Sequence, residues 1–445
     1  MLKKALAILI CCTLWACSAP EQRPSTVDDT KPASLFSGPS PWPQIRKQRI
    51  ARLLPQAMEA ADVDVWLTLC RENNNDPIAD HIGCENAGAL AAFIFYRDRQ
   101  GFHSLVFSPE GESTALRDLQ IHDKVVSVDR GDSVLAYVAG FLHGRSFERI
   151  AVNSSAANAQ ADGLSHSQWL ALQQALGEDI SRRLVSSEEL IYEWLSIKLP
   201  AEVEIMRQAA ALTAAWQIEA YRQIVPGQTT DADVARYLKQ KMAEYGVSDA
   251  WSPDQNPNVN SGIDRGHSHS TDKVIMPGDV IQTDFGIKVY DRWVTDIQRF
   301  AYVLHHGESS APEDIQYYWE SGRDGGRAAF NAMRPGVRGM DVDAAQREHM
   351  DRMGSEPVMW STGHPVGYVA HDTGPNLGGA RSPTVRPAAH KPLKTGMVFA
   401  FDGFYRWIRD DGTSKTISVE EMAVITENGA EYLIPPQEEL VLVGH

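Results

Sequence analysis

Positive charge is what this sequence is shortest of. Its 445 residues carry 42 Lys and Arg against 58 Asp and Glu, a formal net charge of −16. That balance excludes a protein that grips nucleic acid or anionic lipid by bulk charge. The leading apolar run, Ala5 to Trp15, falls short of the ~20 residues that cross a bilayer. Gly and Pro are unexceptional at 33 and 24 residues, which excludes a collagen-like chain. Only five cysteines occur. What is present in quantity is apolar side chain, 43% of residues, ample for buried cores. At roughly 150 residues per domain, the length suggests two or three domains.

Lys3 and Lys4 ahead of the short apolar run have the form of an export signal. The run ends Leu14-Trp15-Ala16-Cys17, which resembles a bacterial lipobox, with cleavage before Cys17 and lipidation of its thiol. Trp15 is bulkier than the residue usual there, and an ordinary cleaved signal is the alternative. Ser18 after the cysteine resembles outer-membrane sorting. The expectation is an exported protein held by lipid alone at the outer membrane, facing the periplasm. Residues 1–16 would be removed. Residues 17–43, with Pro20, Pro24, Pro32, Pro39, Pro41 and Pro43 among Ser, Thr and Asp, read as a tether without an apolar face. Cys11 and Cys12 leave with the signal, so Cys70 and Cys84 remain. In an oxidising compartment they are expected to form a disulfide, worth about 3 kcal/mol in the chain-entropy model. Two reduced buried thiols are the alternative.

From Gln44 the pattern changes. Ile45, Ile50, Leu53, Leu54 and Met58 recur at helical spacing, and Asp64 to Leu69 reads as a buried strand. Further strands are expected at 91–96, 102–107, 124–128 and 149–152, with helices at 133–142 and 168–176. This alternation indicates an α/β domain ending near Ser187. Helices at 187–199 and 201–224, separated by Pro200, come next. A passage then recurs. Pro226-Gly227 leads to a helix from Asp231 to Tyr245 that stops at Gly246; Pro335-Gly336 leads to one from Asp341 to Met353 that stops at Gly354. Each is followed by an apolar strand in which an Asp falls six residues after a turn glycine: Gly278 and Asp284, Gly396 and Asp402. Two such halves would pack about a pseudo-two-fold axis.

The acids fall into pairs. Asp284 and Asp296 are each six residues from Tyr290, so an antiparallel ladder centred there would oppose them, with Cβ atoms about 5 Å apart. Asp402 and Glu420 are each nine residues from Asp411 and would pair likewise. Opposed carboxylates in apolar strands repel unless they share a proton or a cation. Hard oxygen ligands in fours, joined by a histidine such as His364, suit manganese, iron, cobalt or zinc at a two-metal site. His371 follows His364 by seven residues, and His267 and His269 precede the first carboxylate strand.

From about Leu190 to Leu442 the sequence resembles the pita-bread metallopeptidases, the group of methionine aminopeptidase, aminopeptidase P, prolidase and creatinase. The resemblance implies an α/β N-terminal creatinase- or prolidase-like domain at 44–189. It implies an α+β pita-bread catalytic domain with a pseudo-two-fold internal repeat at 190–445. It assigns metal-ligand roles to Asp284 in Thr283-Asp284-Phe285-Gly286 and to Asp296 in Thr295-Asp296-Ile297-Gln298-Arg299. His364 in Gly363-His364-Pro365-Val366-Gly367, Asp402, and Glu420 in Val419-Glu420-Glu421-Met422 complete the set. His371 matches a histidine that steadies the substrate carbonyl. His267 matches one that contacts substrate and oxyanion, with His269 as fallback. Two positions depart from the family pattern. Glu-Pro-Gly reads Asp402-Gly403-Phe404, one methylene shorter at the ligand, and the Arg two residues before the final Glu is Ser418. Glycine at 403 could let the strand move to bring the shorter carboxylate forward.

The implied function is metal-dependent hydrolysis of short peptides, as an Xaa-Pro dipeptidase or aminopeptidase. Two divalent ions are implied, manganese first, with cobalt, zinc or iron as alternatives, and Asp402 is the base. The implied partners are a short peptide substrate and, by analogy with the prolidase branch, a second copy in a homodimer. The alternatives are creatinase-like C–N hydrolysis or lyase chemistry on the same scaffold, and a non-catalytic peptide-binding lipoprotein. The lipobox generates its own test. Wild-type protein should incorporate radioactive fatty acid and sediment with membranes, whereas Cys17→Ser should do neither; an unlabelled, soluble wild type would remove the anchor.

Overall fold

A computed structural model describes residues 35–84 and 88–444. Cys17, the signal and residues 1–34 lie outside the described residues. Two helices, α1 (Trp42–Gln48) and α2 (Leu54–Ala60), precede a six-stranded sheet. Its strands are β1 (Val65–Cys70), β2 (Ala91–Asp98), β3 (Gly101–Pro109), β4 (Lys124–Val128), β5 (Ile150–Val152) and β6 (Leu184–Ser186), in the order β4-β3-β2-β1-β5-β6. Every residue of β1 is buried, because it is central and both faces are covered. Helices α3 (Glu110–Asp118), α4 (Val134–His143) and α5 (His166–Ser181) connect the strands. Cys70 and Cys84 are joined by a disulfide. The last residues of the expected tether are not free of the fold. Phe36 and Trp42 are buried, the Phe36 ring meeting Tyr290 edge-on at 5.5 Å and the Trp42 ring lying 5.9 Å from that of Trp293.

The rest of the chain forms α6 (Glu188–Leu195), α7 (Pro200–Arg222), α8 (Asp231–Tyr245), α9 (Glu313–Ala332) and α10 (Gly339–Arg352). These enclose a curled sheet of β8 (Asn258–Ser261), β9 (Val280–Phe285), β12 (Ile297–Val303), β13 (Gly363–Pro365), β14 (Val398–Ile408) and β15 (Ser414–Thr426), ordered β13-β14-β15-β12-β9-β8. Strands β16 (Gly429–Tyr432) and β17 (Val441–Val443) pair with β15 and β12. A small sheet joins β7 (Ser248–Asp249), β10 (Ile287–Val289) and β11 (Trp293–Val294). Each half is a helix pair followed by a hairpin, α7–α8 with β9 and β12, then α9–α10 with β14 and β15. The halves join where Gln298 of β12 pairs with Glu420 of β15. Local chemistry explains the helix limits. Thr230 and Asp233 form a capping box at the start of α8, and Gly246 ends it in the left-handed conformation. Pro200 is the first residue of α7 rather than a break, where its missing N–H costs nothing.

Helix α9 escapes sequence reading because Gly322, Gly325 and Gly326 interrupt it, and interior glycine argues against helix. Packing explains them. A Cβ on Gly403 of β14 would collide with the Gly322 carbonyl and the Gly326 nitrogen, and one on Gly322 would press Ile417 at 2.9 Å. Glycine on both partners lets the α9 and β14 backbones touch. Gly403 is therefore a contact glycine, and β14 cannot slide to extend Asp402.

Buried charge joins the two sheets' layers. Arg49 and Glu202, both 0% exposed, pair at 2.7 Å, and Arg49 also donates to the carbonyls of Trp194 and Ile197. Glu202 further accepts from the Leu199 N–H, Trp293 Nε1 and the Tyr368 hydroxyl. Beside them Lys198 pairs with Asp372 at 3.1 Å. Burial opposes ionisation of Glu202, but Arg49, the Leu199 N–H, the Tyr368 hydroxyl and Lys198 hold its pKa below the ordinary value. Its ionised form thus favours the folded state above about pH 4.3, and this contribution is lost as pH falls through the depressed folded pKa. Arg49→Met strands a buried carboxylate and should cost about 3–5 kcal/mol in urea unfolding at pH 7. The deficit should shrink at acid pH, where Glu202 is protonated.

Candidate metal centre

The curled sheet places one residue from each of five adjacent strands in a single row. Asn258 is opposite Asp284, Asp284 opposite Gln298, Gln298 opposite Glu420, and Glu420 opposite Asp402. The Asp402–Glu420 register is the one expected from symmetry about Asp411. The first hairpin differs. Its ladder centres on Asp291, with Tyr290 and Asp291 both at positive φ, so Asp284 faces Gln298 rather than Asp296. Asp296 lies two residues before Gln298, just outside β12. The two aspartates are diagonal neighbours, not directly opposed.

Asp296, His364 and Glu420 offer ligand atoms within 4.8 Å of one another. His364 Nε2 is 3.8 Å from Asp296 Oδ2 and 3.7 Å from Glu420 Oε1. Its Nδ1 contacts the Pro365 carbonyl at 3.2 Å, which favours a proton on Nδ1 and leaves Nε2 for a cation. The His371 ring stands 4.2 Å from that of His364. His267 Nδ1 lies 3.3 Å from Asp284 Oδ2, and its ring is perpendicular to Trp360 at 6.2 Å. His269 is exposed and has no hydrogen bond from its ring to these acids.

Asp284, Asp296, Asp402 and Glu420 are all buried. Burial, then repulsion by Glu420 and the neighbouring aspartates, holds the Asp296 carboxyl well above its ordinary range; Asp402 and Glu420 are raised for the same reasons. Burial lowers His364 to about 3, so its imidazole is neutral. The hydrogen bond to Asp284 raises His267 instead. Asp284 Oδ1 and Glu420 Oε2 are buried without a hydrogen-bond partner. Orphaned carboxylate oxygens beside a neutral imidazole fit a hard or borderline divalent cation.

The acids are braced from behind. Arg299 forks onto Glu421 with two 3.0 Å bonds and also donates to the Glu420 carbonyl. Thr362 takes the Asp402 N–H on its carbonyl at 2.8 Å, and its hydroxyl donates to Asp343. Sequence reading did not find Gln298, Gln282 or Trp360. Gln298 was detectable only through the register, which symmetry about Tyr290 misplaces.

The sequence profile of Metallopeptidase family M24 matches residues 204–427, half of the chain. The chain belongs to this family. Membership in the M24 metallopeptidases makes peptides the substrate class and a divalent metal the cofactor. Among relatives, the chain is 26% identical to the probable dipeptidase PepE of Mycobacterium tuberculosis over 298 residues, 64% of this chain and 70% of that protein. It is 26% identical to the Xaa-Pro dipeptidase of Pyrococcus furiosus over 262 residues, 57% of this chain and 67% of the relative. Its fold is similar to the X-Pro aminopeptidase of Thermotoga maritima, with a TM-score of 0.65 at 21% identity over 87% of this chain and all of that one. This likeness shows the pita-bread fold, to which the chain adds its six-stranded α/β domain.

Raised carboxyl pKa values mean that a cation must displace protons. Affinity for manganese should therefore rise with pH through the range in which these acids titrate. Calorimetry in buffers of different ionisation enthalpy should show net proton release. Saturation at 100 times the dissociation constant should stabilise the fold by about 2.7 kcal/mol.

Proposed function

We propose that this M24 metallopeptidase is a dinuclear Xaa-Pro dipeptidase or aminopeptidase acting on short peptides. The observation that carries the reading is the grouping of Asp296, His364 and Glu420, with Asp284 and Asp402 in the same sheet row as Glu420 and the oxygens Asp284 Oδ1 and Glu420 Oε2 buried and unpartnered. Asp284, Asp296, His364, Asp402 and Glu420 would hold two divalent ions, manganese first among the candidates. Bound there, the ions would supply Lewis acidity to the scissile carbonyl and the attacking water. Asp402, at the end of the row, takes the proton of that water. His267 commits Nδ1 to Asp284, so Nε2 is the atom left to donate to the developing oxyanion, and its raised pKa favours the doubly protonated donor form. His371, ring to ring with His364, adds a second donor at the same carbonyl. Proline at the second position is supported by the named activities of the Pyrococcus and Thermotoga relatives. Export and lipidation at Cys17, read from the sequence, would direct the activity at periplasmic peptides.

Elemental analysis should find about two metals per chain, and Asp296→Asn should lose at least one. With manganese added, Xaa-Pro dipeptides or longer Xaa-Pro peptides should be cleaved. Asp402→Asn should reduce turnover about 10²–10⁴-fold. Metal-loaded wild type that leaves every Xaa-Pro peptide intact would dismiss the proline reading, and full metal content in Asp296→Asn would remove Asp296 from the ligand set.

A further inference from the structure

Two residues in the row are amides, Asn258 at its edge and Gln298 between the acids. Gln298 is 5% exposed and stands opposite both Asp284 and Glu420. Its amide oxygen accepts from Gln282 Nε2 at 2.6 Å and from the Ser418 hydroxyl at 2.8 Å. Gln282 Nε2 also donates to Ser418 Oγ at 3.1 Å, so the three side chains form one directed chain. That chain decides which end of the Gln298 amide is which. Its nitrogen points at the acids and donates to Asp402 Oδ1 at 3.3 Å. Glu420 stands directly opposite Gln298 on the neighbouring strand. Reversing the chain would set the amide oxygen against the Asp402 carboxylate oxygen, so the observed direction is the favourable one.

Two departures from the family pattern thereby become one. Ser418 stands where an Arg is expected, and Asp402 where a Glu is expected. Ser418 is 8% exposed and in hydrogen-bond contact with Gln298, so a guanidinium would have to displace the amide. A carboxylate one methylene longer at 402 would advance into the same amide, because β14 is pinned against α9 and cannot retreat.

We propose that Gln298 is the positioning residue of this site: oriented by Gln282 and Ser418, its amide holds one oxygen of Asp402 and presents the other to the metal. The proposal rests on the metal reading above. A carboxylate tethered at one oxygen has less rotational freedom to lose on binding, which is how an outer partner raises the affinity of a ligand it does not replace. The short acid is thus aligned by its neighbour's side chain, not by a shift of its own backbone.

The test is titration of metal-free full-length protein with manganese by calorimetry, alongside thermal melts of the metal-free forms. Gln298→Met keeps the length and removes the amide; its manganese dissociation constant should rise about 10–100-fold. Gln282→Leu/Ser418→Ala leaves Gln298 in place but releases its orientation, and should also weaken binding, which a mere space-filling role for Gln298 would not produce. In an Asp402→Asn background, Gln298→Met should add little, because the group it aligns is gone. Asp402→Glu should weaken binding by itself and recover when Gln298→Ala makes room. Wild-type manganese affinity in both Gln298→Met and Gln282→Leu/Ser418→Ala, or full additivity of Gln298→Met with Asp402→Asn, would overturn the proposal while leaving the metal site standing. Failure of wild type to bind manganese, zinc, cobalt or iron would instead remove the metal reading and this inference together.

Discussion

Four buried carboxylates on and beside one curled sheet are the constraint around which this protein is organised. Asp284, Asp296, Asp402 and Glu420 repel one another where water cannot screen them. A folded chain tolerates such a cluster only if the acids share protons or a cation, and for a cation each must be held in place. The surroundings do this from several directions. Arg299 neutralises Glu421 one residue from Glu420 and ties down the Glu420 carbonyl. Thr362 fixes the Asp402 backbone, and Gln298 restrains the Asp402 side chain.

Backbone contact sets the frame for that restraint. Where α9 meets β14, glycine on each partner lets main chain approach main chain, and close-packed backbone does not yield as a long side chain can. The position of the Asp402 Cα is therefore decided by helix packing on the far side of the sheet. The chemistry of the site is tuned afterwards, by which side chains reach across the row.

The α/β domain contributes to the site at one remove. Asp372, next to His371, pairs with buried Lys198 and accepts from Gln160 of the α/β domain. Tyr368, four residues after His364, donates to Glu202, the partner of Arg49. A Cβ on Gly367 would run into the Lys198 side chain, so this loop and the buried ion pairs are fitted to each other. The segment carrying both histidines is thus held between the two domains, and loosening the Arg49–Glu202 pair acts on stability and on the setting of His371 together.

Much of this was legible in the linear chain. Alternating apolar strands, the glycine stops of α8 and α10, and the doubled pattern of turn glycine and Asp mark a repeated α+β unit, because those signals depend on neighbours close in sequence. The acids and His364 were legible too, since carboxylates in otherwise apolar strands have few other uses. Tertiary structure alone decided the rest. Helix α9 is interrupted by glycines whose reason is a contact with β14, and burial of Phe36 and Trp42 depends on Tyr290 and Trp293, more than 250 residues further on. The one-residue shift in the first hairpin is set by where the turn takes positive φ, and it brings Gln298, instead of Asp296, opposite Asp284. A glutamine has no chemistry that singles it out in a sequence. Only when five strands are laid side by side does its amide meet the carboxylate it aligns.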